Sequence, residues 1–135
     1  MTNAAHDAAL MLQQATFANE AFYLAFEAMD YEAMAHLWSA RRDIVCLHPG
    51  WPALIGRDAV LDSWRSILSN PQQGQVSFYQ ASAQRISEDS VAVVCYEMAG
   101  GSVMVATNVF EFESDRPRMV LHQAGFCGNP PQMPA

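Results

Sequence analysis

Lysine is absent from this chain: its seven basic residues are all arginines, set against fourteen acids, for a net charge of −7. The largest basic cluster is Arg41-Arg42. A nucleic-acid-binding face must displace counterions with clustered cations, so nucleic acid is excluded as a partner. An anionic membrane surface is excluded on the same ground. Cysteine is nearly as scarce. Cys46, Cys95 and Cys127 are widely spaced and form no C-x-x-C pair, an odd set that excludes a disulfide framework and fits a reducing compartment. Cys46 and Cys95 lie in strand-like runs, as small buried apolar groups do. No apolar run approaches the roughly 20 residues that a bilayer crossing needs. The opening MTNAAHDAA lacks the charged and apolar regions of a leader peptide. The expectation is a soluble, cytoplasmic protein.

Charge of either sign is thin. Charged residues make up 16% of the chain and hydrophobic residues 51%, where a globular domain usually carries about 25% charge. The length of 135 residues fits a single domain, one able to bury roughly two-thirds of its unfolded surface. A monomer this poor in charge has little with which to cover its surface, which predicts self-association.

Helical periodicity occupies the first half. Phe22, Ala25, Phe26 and Met29 recur at helical spacing within about Asp7 to Met29. Asp30 is placed to cap a short helix through about Trp38, with Glu32 in its first turn. A strand is predicted at about Asp43 to His48. Val60, Leu61, Trp64, Ile67 and Leu68 then give a third helical stripe, stopped at Asn70-Pro71. The second half holds four strand candidates, at about 75–86, 90–98, 102–113 and 118–126. Their separators, Ser87-Glu88-Asp89, Ala99-Gly100-Gly101 and Ser114-Asp115-Arg116-Pro117, are too short for parallel crossovers and predict antiparallel hairpins. The fold class is therefore α+β: N-terminal helices packed on a curved antiparallel sheet, in one domain over residues 1–126. The proline-rich tail 127–135 cannot propagate a sheet and reads as loose coil.

Alternation adds a partner. Val91, Val93, Cys95 and Glu97 share one face of their strand, and Ala92, Val94, Tyr96 and Met98 the other. A sheet with one wet face alternates cleanly, and this one does not. Helices cover one side, and an isologous homodimer is the simplest cover for the other.

The densest local signal is the loop from His48 to Arg57, HPGWPALIGR. Two prolines stiffen it, two glycines release it, and His48 before Pro49 is pushed toward extended backbone. A histidine and an indole held at a strand exit mark a plausible pocket rim.

The order helix, short helix, strand, helix, four strands resembles the nuclear transport factor 2-like superfamily, the cystatin-like α+β cone. Several strings look like its SnoaL-like members and the stand-alone relatives of the calcium/calmodulin-dependent kinase association domain. These are AFYLAFEAMD at 21–30, the 48–57 loop, Ser63-Trp64, ATNVF at 106–110 and RMVLHQAG at 118–125. The resemblance spans roughly residues 15 to 126. It implies a cone-shaped barrel, a dimer and a pocket between sheet and helices. Its members include isomerases, dehydratases, cyclases, epoxide hydrolases and non-enzymatic assembly modules. The Tyr/Asp pair of steroid isomerases finds no match here. The Asp-Arg-Asp set of epoxide hydrolases is also absent, since the core strand runs contain no Asp.

Individual residues keep two readings each. His48 suits a general base, its ordinary pKa lying near neutrality, or is a loop-end ring bonded to backbone. Glu97 interrupts an apolar strand, as a proton shuttle, as the partner of Arg85 or Arg118, or as a solvated side chain. Trp51 and Trp64 read as aromatic pocket walls or as core. Asn108, in a central strand, must satisfy its amide with a ligand or a neighbour. His122 and Gln123 fall on opposite faces of the last strand, so one at most enters a given cavity. Cys46 and His48 have the spacing of two metal ligands but lack a supporting cluster, so no metal and no cofactor is expected. Two functions fit: a dimeric domain binding a small apolar or aromatic molecule, with acid–base chemistry at His48 or Glu97, and a non-catalytic oligomerisation module.

Overall fold

Two helices meet at Asp30. In the computed structural model, which describes residues 4–40 and 43–134, α1 runs Ala4–Glu27 and α2 Tyr31–Leu37. α1 ends where Met29 turns left-handed (φ 56°), with Asp30 N donating to Ala25 O at 3.0 Å and Met29 N to Phe26 O at 3.1 Å. That reversal satisfies the last carbonyls of the helix. The Asp30 carboxylate accepts from Ala33 N at 3.1 Å and so caps α2, as its place in the sequence predicted. Arg41-Arg42 lies outside the described residues.

β1 (Val45–Leu47) leads into the proline loop, which folds back as the two-residue strand β2 (Leu54–Ile55). Gly56 then takes φ 95°, a conformation that favours glycine, and releases the chain into α3 (Arg57–Leu68). Four long strands follow: β3 (Val76–Ser87), β4 (Ser90–Ala99), β5 (Ser102–Glu113) and β6 (Arg116–Phe126).

The sheet order is β2-β1-β6-β5-β4-β3. β3 to β6 form the expected antiparallel meander. The sheet differs from the expectation in two respects. β1 pairs parallel with β6, Cys46 opposite His122, so the sheet is mixed. It is also open: the order runs from β2 to β3, which do not pair with each other. The parallel pair is possible because everything from the loop to β5 lies between the two strands in sequence, far more than a crossover requires. The third hairpin is tighter than its separator predicted. Ser114 and Asp115 alone make the turn (φ 51° and 64°), and Pro117 already pairs with Phe112.

Register decides what the core receives. Val91, Val93, Cys95 and Glu97 of β4 pair with Phe110, Asn108, Ala106 and Met104 of β5, and Asn108 pairs with His122 of β6. Most of this face is fully buried against the helices. Ala92, Tyr96, Val105, Thr107 and Val109 stand on the other face half-buried, with Val94 36% exposed. The tail has no regular structure but is tied down: the Tyr79 hydroxyl donates to Pro131 O at 2.8 Å, and Cys127 N to Val103 O at 3.0 Å. Among the described residues, no helix is long and apolar enough to cross a membrane.

Candidate functional site

The buried face of the sheet carries three polar side chains where the pattern calls for apolar ones: Glu97, Asn108 and His122, each at most 4% exposed. α1 answers them with Asn19 and Tyr23, four residues apart and therefore on one helix face. The Tyr23 hydroxyl donates to Glu97 Oε2 at 2.6 Å and accepts from Asn108 Nδ2 at 3.2 Å. Asn108 Nδ2 also donates to Asn19 Oδ1 at 2.8 Å. Asn108 Oδ1 lies 2.6 Å from His122 Nδ1, and His122 Nε2 lies 4.0 Å from Glu97 Oε2. One network thus links a helix to three strands.

A second group sits beside it. His48, 6% exposed, places Nε2 2.9 Å from Ser63 Oγ of α3 and 3.4 Å from Cys46 Sγ of β1. The Ser63 hydroxyl donates back to Val60 O at 2.6 Å. Trp64 packs edge-on against His48, Phe22 and Phe26 at centroid distances of 4.8, 5.4 and 5.0 Å. The two histidine rings are 6.1 Å apart.

Burial sets the charge state. Loss of water lowers the His48 pKa to about 4, and burial together with the neighbouring His48 lowers His122 to about 3. Both rings are therefore neutral at pH 7. Burial raises the Glu97 pKa, against the opposing effect of the Tyr23 hydrogen bond. It also pushes Cys46 up to about 12 and Cys95 to about 11, so neither sulfur is a thiolate. Lone ions are costly in such surroundings, and each group moves toward its neutral form.

A cavity of about 360 Å³ opens over these groups, with His48, Glu97 and His122 on its wall and Phe26, Trp51 and Met104 around them. No arginine borders it among the described residues.

The structure brings His48, Glu97, His122 and Trp51 to this cavity, and stands Trp64 and Asn108 directly behind them. Trp51, 45% exposed with its ring 4.9 Å from His48, forms the rim; Trp64, fully buried, is core. Gln123 pairs with Thr107 on the half-buried face and does not reach the cavity. The neighbours proposed for Glu97 go elsewhere: Arg85 bonds Ser87 O and Glu88 O, and Arg118 bonds His36 O. Sequence reasoning missed Asn19, Tyr23 and Ser63. All three were visible as polar residues inside apolar helical stripes, but nothing in one helix says which strand residue will face it.

Comparison with known proteins identifies the family and the fold. A family model for the SnoaL-like domain matches residues 16–127. The chain is 30% identical over 108 residues to the F-box protein SKIP8 of Arabidopsis thaliana, covering 78% of this chain and 46% of that one, so it spans about half the length of that curated relative. A dehydratase candidate of the NTF2-like family from Streptomyces avermitilis superposes with a TM-score of 0.78 at 30% identity, covering 89% of this chain and 98% of that one. A candidate calcium/calmodulin-dependent protein kinase type II association domain from Thiobacillus denitrificans superposes at 0.73 with 32% identity, over 82% and 92% of the two chains.

Proposed function

From the premise that the chain belongs to the SnoaL-like family, with an NTF2-like, cystatin-like α+β fold, we propose that it is a dimeric domain binding a small, mostly apolar molecule, on which it performs acid–base chemistry. The observation that carries this reading is the cavity of about 360 Å³ walled by Glu97 and two histidines and rimmed by Trp51. A neutral imidazole and a carboxyl group of raised pKa, on one dry wall, are a base and an acid present at the same pH.

That pairing suits elimination of water, the reaction class named for the Streptomyces relative. A ring nitrogen of His48 or His122 takes a proton from carbon beside a carbonyl, and a carbon–carbon double bond forms. The Glu97 carboxyl gives its proton to the departing hydroxyl, which leaves as water. The imidazolium then returns its proton to the carboxylate, closing the cycle with no cofactor. A pure assembly role is disfavoured because it gives no reason to bury this polar cluster, which costs stability unless it serves a site. The dimer forms through the half-buried face of β4 and β5, the side the helices leave open.

Titration of the full chain with 2-naphthol, followed by the Trp51 indole N–H signal in NMR, tests the binding step. The expected result is a saturable shift that His48→Ala abolishes while leaving the rest of the spectrum folded. Absence of any shift in the wild-type protein overturns the reading.

A further inference from the structure

We infer that Ser63 and Asn108 are positioning residues that fix opposite tautomers in the two cavity histidines, His48 as Nε2–H and His122 as Nδ1–H, so that the cavity is offered two lone pairs and selects neutral hydrogen-bond donors over anions. The inference rests on the binding role proposed above and deepens it by naming the ligand's chemistry.

The assignment follows from counting protons. Val60 O is a carbonyl and only accepts, so at 2.6 Å the single hydroxyl proton of Ser63 belongs to it. Ser63 Oγ has only lone pairs left. His48 Nε2, 2.9 Å away, must therefore be the donor, because two facing lone pairs at that distance repel. A neutral imidazole has one N–H, so Nδ1 carries the lone pair. The other contact to that atom is Cys46 Sγ at 3.9 Å, long even for sulfur.

The same count runs through Asn108. Both of its amide protons are engaged, one by Asn19 Oδ1 at 2.8 Å and one by the Tyr23 hydroxyl at 3.2 Å. Its oxygen is what faces His122 Nδ1 at 2.6 Å, so Nδ1 is the N–H. The Nε2 lone pair then points toward Glu97 Oε2, 4.0 Å off, a gap too wide for a direct hydrogen bond.

The consequence for a ligand is chemical. A hydroxyl or N–H donor finds two acceptors on the wall. A carboxylate finds two lone pairs, a buried carboxyl and, among the described residues, no arginine on the cavity lining. Desolvating such an anion without a partner is expensive.

Long-range ¹H–¹⁵N correlation spectra of the histidine-labelled full chain at pH 7 read the tautomers directly. The wild type is expected to show His48 protonated at Nε2 and His122 at Nδ1. Ser63→Ala is expected to release His48 into a tautomer mixture, and Ser63→Thr, which keeps the hydroxyl, to restore the single form. A wild-type spectrum with either ring in the opposite tautomer overturns the inference, as does a Ser63→Ala spectrum unchanged at His48. The ligand consequence is read by comparing 2-naphthol with naphthalene-2-carboxylate, which is expected to bind at least tenfold more weakly; equal affinity overturns it. Correct tautomers with no 2-naphthol binding would uphold the lock and remove the binding role instead.

Discussion

Tyr23 and Glu97, seventy-four residues apart in the chain, share a 2.6 Å hydrogen bond inside the core, where the carboxyl meets no arginine among the described residues. The phenol is its substitute for water. Tyr23→Phe removes the donor to Glu97 and the acceptor of Asn108 in one step, leaving two buried polar groups short of a partner. The expected cost is about 1–3 kcal/mol in urea unfolding. Because the hydrogen bond holds the Glu97 pKa down against burial, the variant should also titrate its carboxyl at higher pH than the wild type. Carboxyl ¹³C shifts followed against pH check this; an unchanged Glu97 midpoint would refute it.

Acid should unfold the protein through its histidines. His48 and His122 have folded-state pKa values of about 4 and about 3, below the ordinary 6.5. Between 6.5 and those values the unfolded chain binds more protons than the native one, so stability falls as pH drops through that window. The full loss is about 3 kcal/mol for His48 and about 5 kcal/mol for His122, at about 1.4 kcal/mol for each pKa unit. Glu97 works in the opposite sense. Its raised pKa means the native state holds a proton the unfolded state has released, so its contribution declines as pH rises above 4.5. Two rings outweigh one carboxyl, and the net slope from pH 4.5 to 6.5 is positive. A His48→Gln/His122→Gln protein should show a flatter profile in denaturant midpoint against pH; an equally steep one would count against the assignment.

How much of this was legible in the sequence depends on the range of the interaction. The Asp30 cap, the helix at Val60–Leu68 and the hairpins at Gly100-Gly101 and Ser114-Asp115 rest on neighbours a few residues apart, and residue type announces them. Alternation placed Glu97 on the same face as Val93 and Cys95, and parity separated His122 from Gln123. Which of those faces the helices would cover required Asn19 and Tyr23 to be matched to Asn108 across more than eighty residues. The parallel pairing of β1 with β6 was hidden for the same reason. Three residues of strand carry too little pattern to name a partner.

The two tryptophans flanking His48 should separate stability from binding. Trp64 is fully buried among Phe22, Phe26 and His48, so Trp64→Ala leaves a large cavity and should cost about 3–5 kcal/mol. Trp51 is 45% exposed and touches the His48 ring from the cavity side. Trp51→Ala should lower the urea midpoint little, within about 1 kcal/mol, while weakening 2-naphthol binding several-fold by loss of an aromatic wall. The reverse pattern, a destabilised Trp51→Ala protein with unchanged affinity, would make the loop a structural clamp and not a pocket rim.

One face of the sheet is left open by the helices. Val94 of β4 lies opposite Thr107 of β5, and Tyr96 opposite Val105, on the side of the sheet away from Glu97 and Asn108. These side chains are half-buried or exposed although most are apolar. An isologous contact would bring each Val94 near its counterpart's patch, and the chain's shortage of charge removes the usual means of keeping such a face wet. Val94→Arg puts two cations into the apolar middle of that contact. Since Val94 points away from the core, the monomer itself should keep its fold and its circular dichroism spectrum. Size-exclusion chromatography with light scattering is expected to give a dimer for the wild type and a monomer for Val94→Arg. A monomeric wild type, or a variant that remains dimeric, would place the interface elsewhere or remove it.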